Sequence, residues 1–390
     1  MRPTNGSSRW LVPTHQKNAV TPPPVYNAGL CELTEIPGER NREGCSRGRY
    51  NMKSKLAFFA MVASAVCCLT LFGQGGQGGQ AGRVGQGGQG GQTAAPATDK
   101  VTPEIPGVVA AGTKIEVVKY GLKGDDGGVG MPDGSLLIAT GGGVSKVDKD
   151  GNVTVLVENA DQAAGLALDS KGRIIAAQYS KKVSVIYPKG SEAVLADNFE
   201  GKPFIRPNDL VVDKKGGIYF TDCYQIGAKR SPDDLPQAVY YIPPGGKIIR
   251  VVDDVSRPNG ITLSPDQKTL YVNDWDGAYL VAYDVQPDGT LKNRRNFGKF
   301  DVKQETDHGL VSGADGLCSD SQDHTFATTP AGVQVFNAKG EHLGNIEVPL
   351  DQPPQNCGFG GADRKDLFVV GRGVVLRIHT MVPGPKDRAK

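Results

Sequence analysis

"RPNDLVVDKKGGIYFTD" at residues 206–222 is repeated in outline by "RPNGITLSPDQKTLYVND" at residues 257–274. Each copy holds an Arg-Pro-Asn, a short apolar run, a charged turn and a second apolar run that ends in Asp. Short apolar runs between turn signals are typical of β-strands. The two copies therefore predict two strand–turn–strand units of one repeating β fold.

Six segments of the chain share this outline. In each, a turn is followed by a second apolar run, such as "LLIAT" at 136–140 or "LFVVG" at 367–371. A repeat of roughly 40 to 55 residues that holds four short strands is the signature of a β-propeller blade. The anchor residues that begin the six copies are Asp126, Ala164, Asn208, Asn259, Asp315 and Asn356.

The six copies predict an all-β fold, a six-bladed β-propeller. The sixth copy ends soon after "VVLRIHTMV" at 374–382, one strand short of a complete blade. The segment "TKIEVVKY" at 113–120 precedes the first copy, and we expect it to supply the missing strand. Closure of this kind pairs the exposed edges of a sheet, so a closed ring is predicted.

The N-terminal part of the chain differs from the repeats. Lys53 and Lys55 precede a long uncharged stretch, which predicts a signal peptide or, alternatively, an uncleaved membrane anchor. We expect Met52 to be the true start and the protein to be exported, either periplasmic or secreted. The predicted organisation is a disordered leader from a mis-assigned start (1–51), the signal peptide or anchor (52–73), a Gly/Gln-rich linker (74–105) and the propeller (106–383).

Composition and cysteine content exclude two classes of protein. The chain has 44 Lys and Arg residues against 42 Asp and Glu, so it lacks the excess positive charge that neutralises nucleic-acid phosphates. No nucleic-acid partner is expected. Only Cys223, Cys318 and Cys357 follow the linker, and three cysteines cannot all pair with one another. We therefore expect buried free thiols rather than a disulfide framework.

The six anchor residues are expected to meet at one mouth of the central channel, because the innermost strand of each blade lines that channel. Two of them are carboxylates and three are side-chain amides. A single Asn or Asp at a strand start usually bonds to its own backbone, but five of six equivalent positions argue for a shared role. Such oxygen ligands suit Ca²⁺. The absence of His and Cys from the ring disfavours zinc and copper, although the same oxygen shell admits Mg²⁺, Mn²⁺ or Zn²⁺.

At these residues the sequence resembles the senescence marker protein/gluconolactonase family, which includes regucalcin, bacterial gluconolactonases and related metal-dependent lactonases. The two stretches quoted first look like the family's third-blade and fourth-blade motifs. "ADGLCSD" at 314–320 and "NCGFGG" at 356–361 look like its fifth and sixth. The resemblance covers roughly residues 110–380 and implies six blades, in agreement with the number of repeats.

The resemblance also implies a set of site residues. It puts the metal on Asn259 and Asp315, with Asn208 at or beside it. The family's first ligand is usually the Glu of a Glu-Gly-Pro motif, and here "DGGVGMPDG" offers Asp126 in its place, or the neighbouring Asp125 if the loop shifts. Arg206 matches a position that contacts substrate, and Asn208 is expected to share that role.

The activity implied by the resemblance is hydrolysis of a lactone. Ring opening requires water to attack an ester carbonyl through an oxyanion, which a bound cation stabilises. A carboxylate at the same mouth can take the proton of that water, and the resemblance implies that Asp315 is this catalytic residue. We expect a gluconolactonase-like monomer that acts on a small-molecule sugar lactone. It would meet a membrane only if the N-terminal segment is an uncleaved anchor.

Two other functions remain open from the sequence. One is a non-catalytic propeller that binds a ligand and uses the metal only to brace the channel, because the first blade lacks the family's Glu. The other is an esterase or organophosphate-type hydrolase on the same scaffold. Assays with a panel of lactones, with and without a chelator, would separate the three.

Four further signals carry less weight. "GCSRG" at 44–48 spells the Gly-x-Ser-x-Gly of serine hydrolases but has no strand before it. "GQGGQG" at 73–78 spells a dinucleotide fingerprint by accident of a Gly-Gln repeat. We interpret His308 as a solvated loop residue rather than a substrate contact, and Trp275 and Tyr279 as packing residues between blades rather than the wall of a pocket.

Overall fold

The computed structural model describes residues 95–124, 126–301, 304–306 and 309–386. This part of the chain is built from β-strands and contains no α-helix, which confirms the predicted all-β fold. None of its elements is a helix long and apolar enough to span a membrane. The predicted leader, signal segment and most of the linker, together with Asp125 and His308, lie outside the described residues.

The first three blades follow the strand closest to the N-terminus, β1 (Ile115–Lys119). Each blade is a four-stranded antiparallel sheet whose strands follow one another in chain order from the channel outward. Blade one contains β2 (Asp126–Gly130), β3 (Leu136–Thr140), β4 (Gly143–Val147) and β5 (Val153–Val157). Blade two contains β6 (Ala163–Leu168), β7 (Ile174–Gln178), β8 (Lys182–Tyr187) and β9 (Ala193–Ala196). After the short hairpin of β10 (Asn198–Phe199) and β11 (Lys202–Pro203), blade three contains β12 (Pro207–Val212), β13 (Ile218–Asp222), β14 (Ala238–Ile242) and β15 (Ile249–Val252).

The other three blades repeat the same order. Blade four contains β16 (Pro258–Leu263), β17 (Thr269–Asp274), β18 (Tyr279–Val285) and β19 (Leu291–Lys299). A hairpin of β20 (Gln304–Thr306) and β21 (Gly309–Val311) leads to blade five, with β22 (Leu317–Ser319), β23 (Thr325–Thr329), β24 (Gly332–Phe336) and β25 (His342–Ile346). Blade six contains β26 (Asn356–Gly360), β27 (Asp366–Gly371) and β28 (Val374–His379).

The ring closes as the sequence predicts. β1 pairs antiparallel with β28, with Ile115 opposite Ile378, and it becomes the outermost strand of blade six. Packing begins before β1, because Thr102 and Ile105 are buried. Ile105 belongs to an apolar cluster that includes Phe326 of blade five and Val369 of blade six. The packed body therefore begins before residue 106 and includes the end of the stretch predicted as linker.

Asp222 explains why blade three begins with Arg-Pro-Asn. Its carboxylate accepts hydrogen bonds from the backbone N–H of Ile205 at 2.9 Å and of Arg206 at 2.6 Å. Pro207 lies opposite Asp222 in the sheet and has no N–H to donate to the ladder. The Asp side chain thus replaces the ladder hydrogen bonds that the chain cannot make where the inner strand begins.

Asp274 plays the same part in blade four. It accepts the backbone N–H of Ser256 at 3.2 Å and of Arg257 at 3.0 Å, and Pro258 lies opposite it in the sheet. The repeated Arg-Pro-Asn and the distant Asp are therefore two ends of one structural device. It fixes the backbone immediately before Asn208 in blade three and Asn259 in blade four, at the mouth of the channel.

Side chains packed between neighbouring blades form the apolar core. One cluster joins Val185 of β8 to Phe220 of β13 and Tyr240 of β14, and the two aromatic rings stack with centroids 5.4 Å apart. Burial of a side chain of this size stabilises the fold by about 1.5–3 kcal/mol. Neighbouring blades are thus held together by apolar contacts, which leaves the polar strand starts to face the channel.

The cysteines after the linker are buried, as predicted, and no disulfide joins them in the described part of the chain. Cys318 on the inner strand of blade five and Cys357 on the inner strand of blade six have their sulfur atoms 2.7 Å apart. Cys223 follows β13 directly. The proximity of Cys318 and Cys357 follows from blade packing and could not be derived from their spacing in the chain.

Replacement of Gly260 by Ala is expected to lower the free energy of unfolding by about 1–3 kcal/mol. Its Cβ would overlap the backbone carbonyl of Asp315, where the inner strands of blades four and five approach each other. Urea denaturation would measure the loss. Gly128→Ala is the matched control, because a Cβ at this inner-strand position meets no atom closer than 3.7 Å. Equal stability of the two variants would contradict the proposed close approach.

Candidate active site

A cavity of about 230 Å³ lies at the mouth of the channel. Its wall includes five of the residues that the sequence predicts as ligands or substrate contacts, whereas the anchor residues Ala164 and Asn356 are not part of the lining. The five lining residues come from blades one, three, four and five and are Asp126, Arg206, Asn208, Asn259 and Asp315. The ring geometry therefore brings together side chains that are far apart in the sequence.

Asp126 begins the inner strand of blade one, and its carboxylate accepts three hydrogen bonds. The donors are the backbone N–H of Gly127 at 2.8 Å, the side-chain amide of Asn356 at 3.2 Å and the hydroxyl of Tyr179 at 2.9 Å. Hydrogen bonds to a carboxylate stabilise its charged form and fix its orientation. Asp126 is therefore held in place from blades two and six.

Asp315 lies just before the inner strand of blade five, where its backbone is tied to both neighbouring strands. Its N–H donates to the carbonyl of Thr328 at 2.8 Å, and its carbonyl accepts from the N–H of Gly260 at 2.9 Å and from the side chain of Asn273 at 2.7 Å. None of these bonds uses the carboxylate. The side chain of Asp315 is thus presented to the cavity by a fixed backbone.

The electrostatics of Asp315 favour a nearby cation. Burial raises the pKa of its carboxyl well above the ordinary value, and the negative charge of Asp126 raises it further. The positive charges of Arg372 and Arg206 oppose this shift. Two carboxylates at one partly enclosed mouth destabilise each other's charged forms, and a divalent cation bound there would remove that penalty.

The amides of Asn208 and Asn259 complete a set of oxygen ligands. Both residues are buried. The side-chain oxygen of Asn259 is sealed from solvent and has no hydrogen-bond donor among the described residues. Such an oxygen is costly to bury unless it meets a donor or a cation. Within the described ranges no three His, Cys, Asp or Glu side chains cluster as a metal site would require, so a metal here would depend on these amide oxygens. Carboxylate and amide oxygens fit a hard divalent cation.

Tyr179 links the predicted substrate contact to the carboxylate of blade one. The guanidinium carbon of Arg206 lies 3.1 Å from the centroid of the Tyr179 ring, while the Tyr179 hydroxyl donates to Asp126. Burial, and then the charge of Asp126, raises the pKa of Tyr179 well above its ordinary value. Tyr179 therefore stays protonated as a donor and limits the rotamers of Arg206.

Sequence reasoning missed most of a second row of residues, five of which line the cavity. Each of them occupies the position immediately after the second strand of its blade. The residues at this position are Gly141, Tyr179, Cys223, Trp275, Pro330 and Arg372. All except Pro330 line the cavity. The repeat alignment, extended by one residue past each second apolar run, contains the signal that finds them.

Trp275 and Arg257 form one side of this wall. The sequence favoured Trp275 as a packing residue, but it lines the cavity beside Arg257, whose guanidinium carbon lies 5.1 Å from the indole ring. The Nε of Arg257 is paired with the carboxylate of Asp276 at 3.1 Å. Tyr279, which begins β18, is not part of the lining.

A family model described as the SMP-30/gluconolactonase/LRE-like region matches residues 138–372. The chain belongs to this family. The resemblance read from the blade motifs is thereby confirmed. The matched residues contain Arg206, Asn208, Asn259 and Asp315, whereas Asp126 lies before them.

Two members of the SMP-30/gluconolactonase family illustrate the extent of the similarity. The chain is 28% identical over 309 residues to a gluconolactonase from Zymomonas mobilis, in an alignment that covers 73% of this chain and 86% of the relative. It is 28% identical over 263 residues to regucalcin from Danio rerio, covering 65% of this chain and 84% of the relative. The similarity therefore extends over most of each relative.

Solved structures of the family support the fold. A gluconolactonase from Xanthomonas campestris superposes with a TM-score of 0.62 at 24% sequence identity. The alignment covers 76% of this chain and 98% of that protein. Almost the whole of that relative thus corresponds to the propeller of this chain.

Proposed function

We propose that this protein is a metal-dependent lactone hydrolase of the gluconolactonase type, which opens a sugar lactone by attack of water. The observation that carries the proposal is the convergence of Asp315, Asp126 and the unpaired oxygen of Asn259 at one cavity. Relatives named gluconolactonase and lactonase support the reaction class. A relative described as a calcium-binding regucalcin supports Ca²⁺ as the first choice of metal.

The proposed metal site uses the oxygen ligands of four blades. A divalent cation, Ca²⁺ first and otherwise Mg²⁺, Mn²⁺ or Zn²⁺, would be held by Asn259, Asp315, Asn208 and Asp126, and when bound it would polarise the lactone carbonyl. The unpaired amide oxygen of Asn259 and the raised pKa of Asp315 are the features of the cavity that fit such an ion.

Asp315 is the proposed general base. Its carboxylate takes a proton from the attacking water as the water oxygen bonds to the carbonyl carbon. The bond from that carbon to the ring oxygen then breaks, and the ring oxygen leaves as a hydroxyl after taking up the proton that Asp315 held. The product is the open hydroxy acid, and Asp315 returns to its starting charge.

Arg206 and Asn208 are the proposed substrate contacts. A guanidinium presents several N–H donors in a fixed plane, so Arg206 can orient the hydroxyl groups of a sugar lactone. Stacking on Tyr179 restricts its motion. Asn208 comes two residues later on the same strand start and lines the same cavity.

The proposal is tested by incubating purified protein, supplied with Ca²⁺, with D-glucono-1,5-lactone and a panel of other lactones. Acid release in a pH-stat should exceed the spontaneous rate for at least one sugar lactone. Absence of hydrolysis of every lactone by metal-loaded protein would sink the proposal and favour a ligand-binding propeller. Hydrolysis of aryl esters alone would favour an esterase.

Tyr179→Phe is expected to lower kcat/KM by about tenfold or more. The variant removes one donor to the Asp126 carboxylate, and a hydrogen bond to a charged group contributes about 1.5–3 kcal/mol. Steady-state kinetics with the best lactone would measure the loss. Tyr241→Phe is the matched control, because it removes a 2.8 Å hydrogen bond to Asp213 that lies outside the cavity. An equal loss in both variants would contradict a role for Tyr179 at the site.

A further inference from the structure

Arg257 lines the cavity with more hydrogen-bonding capacity than its neighbours satisfy. The residue is 8% exposed. Its Nε is bound to Asp276, but its Nη1 is buried and has no acceptor among the described residues. A buried guanidinium N–H without an acceptor is destabilising. An acceptor supplied by a bound ligand would satisfy this donor.

Arg372 shows the same deficit from blade six, which is separated from blade four by one blade. Its Nε is also buried without an acceptor in the described part of the chain, and it too lines the cavity. Its positive charge opposes the raised pKa of Asp315, which places the guanidinium within electrostatic reach of that carboxylate. Each of these two arginines, one in blade four and one in blade six, therefore has one buried side-chain nitrogen without an acceptor at the same mouth.

Backbone strain at Arg372 supports a role beyond packing. Arg372 and Gly373 form the two-residue turn between β27 and β28, with φ values of +57° and +84°. Turns with two positive φ values favour Asn or Gly at the first position, and blade one uses Gly141 and Gly142 at the equivalent turn. This backbone conformation is unfavourable for a non-glycine residue. The arginine is thus held at this position against its backbone preference.

The charges at the mouth also leave a positive excess once the proposed cation is counted. Arg257 is paired with Asp276, and the charges that act on Asp315 are those of Arg206 and Arg372 on one side and of Asp126 and Asp209 on the other. Three arginines and four ionised carboxylates carry a net charge of −1, which a divalent cation would change to +1. The hydroxyl groups of a neutral sugar lactone would offer acceptors to the two arginines but would leave this positive charge uncompensated.

We propose that the substrate is a lactone that also carries a free carboxylate, which Arg257 and Arg372 bind. This inference rests on the proposed lactonase function and narrows its substrate class. A carboxylate accepts the N–H donors of guanidinium groups in short, charge-assisted hydrogen bonds. It also offsets part of the positive charge that the cation would add. The carboxylate itself is not attacked, so the chemistry at the ring is unchanged.

Two lactones that differ at one carbon test the inference. D-glucono-1,4-lactone and D-glucaro-1,4-lactone share the ring, and C6 is a hydroxymethyl group in the first and a carboxylate in the second. With metal-loaded protein, kcat/KM for the glucaro-lactone should be higher by about tenfold or more, as expected for a charged hydrogen bond of about 1.5–3 kcal/mol. The ratio of kcat/KM for the glucaro-lactone to kcat/KM for the glucono-lactone should fall in both Arg257→Gln and Arg372→Gln, because each variant raises KM for the glucaro-lactone.

Arg294→Gln is the matched control, because Arg294 lies on the outer strand β19 and pairs with Asp254 away from the cavity. It should leave the ratio unchanged. Equal or faster hydrolysis of the neutral lactone would overturn the acidic substrate class while the lactonase proposal stands. An unchanged ratio in both cavity variants would overturn the assigned arginines.

Calorimetry separates this failure from that of the proposed function. The open-chain product analogues D-glucarate and D-gluconate need no turnover to bind. Tighter binding of glucarate by the wild type than by Arg257→Gln or Arg372→Gln supports the carboxylate site, even if no lactone is hydrolysed. Equal binding of glucarate by the wild type and by both variants would overturn it.

Discussion

Asp315→Asn is expected to reduce kcat for lactone hydrolysis by about 10³-fold or more while the propeller stays folded. The substitution keeps the size of the side chain and removes both its basicity and its negative charge. Loss of a general base alone costs about 10²–10⁴-fold, and loss of an anionic side chain would also weaken binding of the proposed cation. Initial rates in a pH-stat with saturating lactone and Ca²⁺ would measure the effect.

The fold of this variant is expected to survive, because the carboxylate takes no part in the contacts that hold residue 315. Its backbone N–H and carbonyl bind Thr328, Gly260 and Asn273. Thermal unfolding followed by circular dichroism should therefore show a Tm close to that of the wild type. A folded variant with full turnover would contradict the assignment of Asp315.

Asp320→Asn is the matched control on the same strand. Asp315 precedes β22 and Asp320 follows it, so the two carboxylates lie at opposite ends of one inner strand. Asp320 binds the backbone N–H groups of Gln322 and His324 and does not line the cavity. Its variant should lose stability and keep kcat, the reverse of what is expected for Asp315→Asn.

The sequence was sufficient for the blades because their signals are local. A turn between two apolar runs recurs within each copy, and the hydrogen bonds that Asp222 accepts from the backbone of Ile205 and Arg206 span only 17 and 16 residues. Once the propeller is predicted, one strand of each blade must line the channel, and the anchor residues are the ones at which these inner strands begin. Cavity residues at strand starts, such as Asn208 and Asn259, could therefore be predicted from sequence signals within their own blades.

The partners of those residues could not be predicted, because they come from other blades. The donor that Asn356 supplies to Asp126 is 230 residues away, and that of Tyr179 is 53 residues away. Arg206 and Arg257 share one sequence motif but differ in surroundings, since Arg206 stacks on Tyr179 and Arg257 pairs with Asp276. Residues of the same type at equivalent positions thus acquire different roles from their neighbours.

Removal of the metal is the second large effect expected. Protein stripped with a chelator and freed of it by dialysis should lose nearly all lactonase activity, because the cation proposed to polarise the lactone carbonyl is then absent. Added Ca²⁺ should restore the activity, and elemental analysis of protein purified without added metal should show about one divalent ion per chain. Add-back of Mg²⁺, Mn²⁺ and Zn²⁺ separately would rank the alternatives.

A measurement independent of turnover decides whether the ion binds at the proposed oxygens. A ligand at 100 times its Kd stabilises the folded state by about 2.7 kcal/mol, so Ca²⁺ should raise the Tm of stripped wild-type protein by several degrees. In Asn259→Leu, which removes the unpaired buried oxygen, this rise should shrink or vanish, whereas Asn345→Leu on the outer strand β25 should retain it.

If stripped wild-type protein hydrolysed lactones at the full rate, the cation would have no part in the reaction, and the mutual repulsion of Asp126 and Asp315 would need another explanation. A rise in Tm that persists in Asn259→Leu would place the ion elsewhere in the chain.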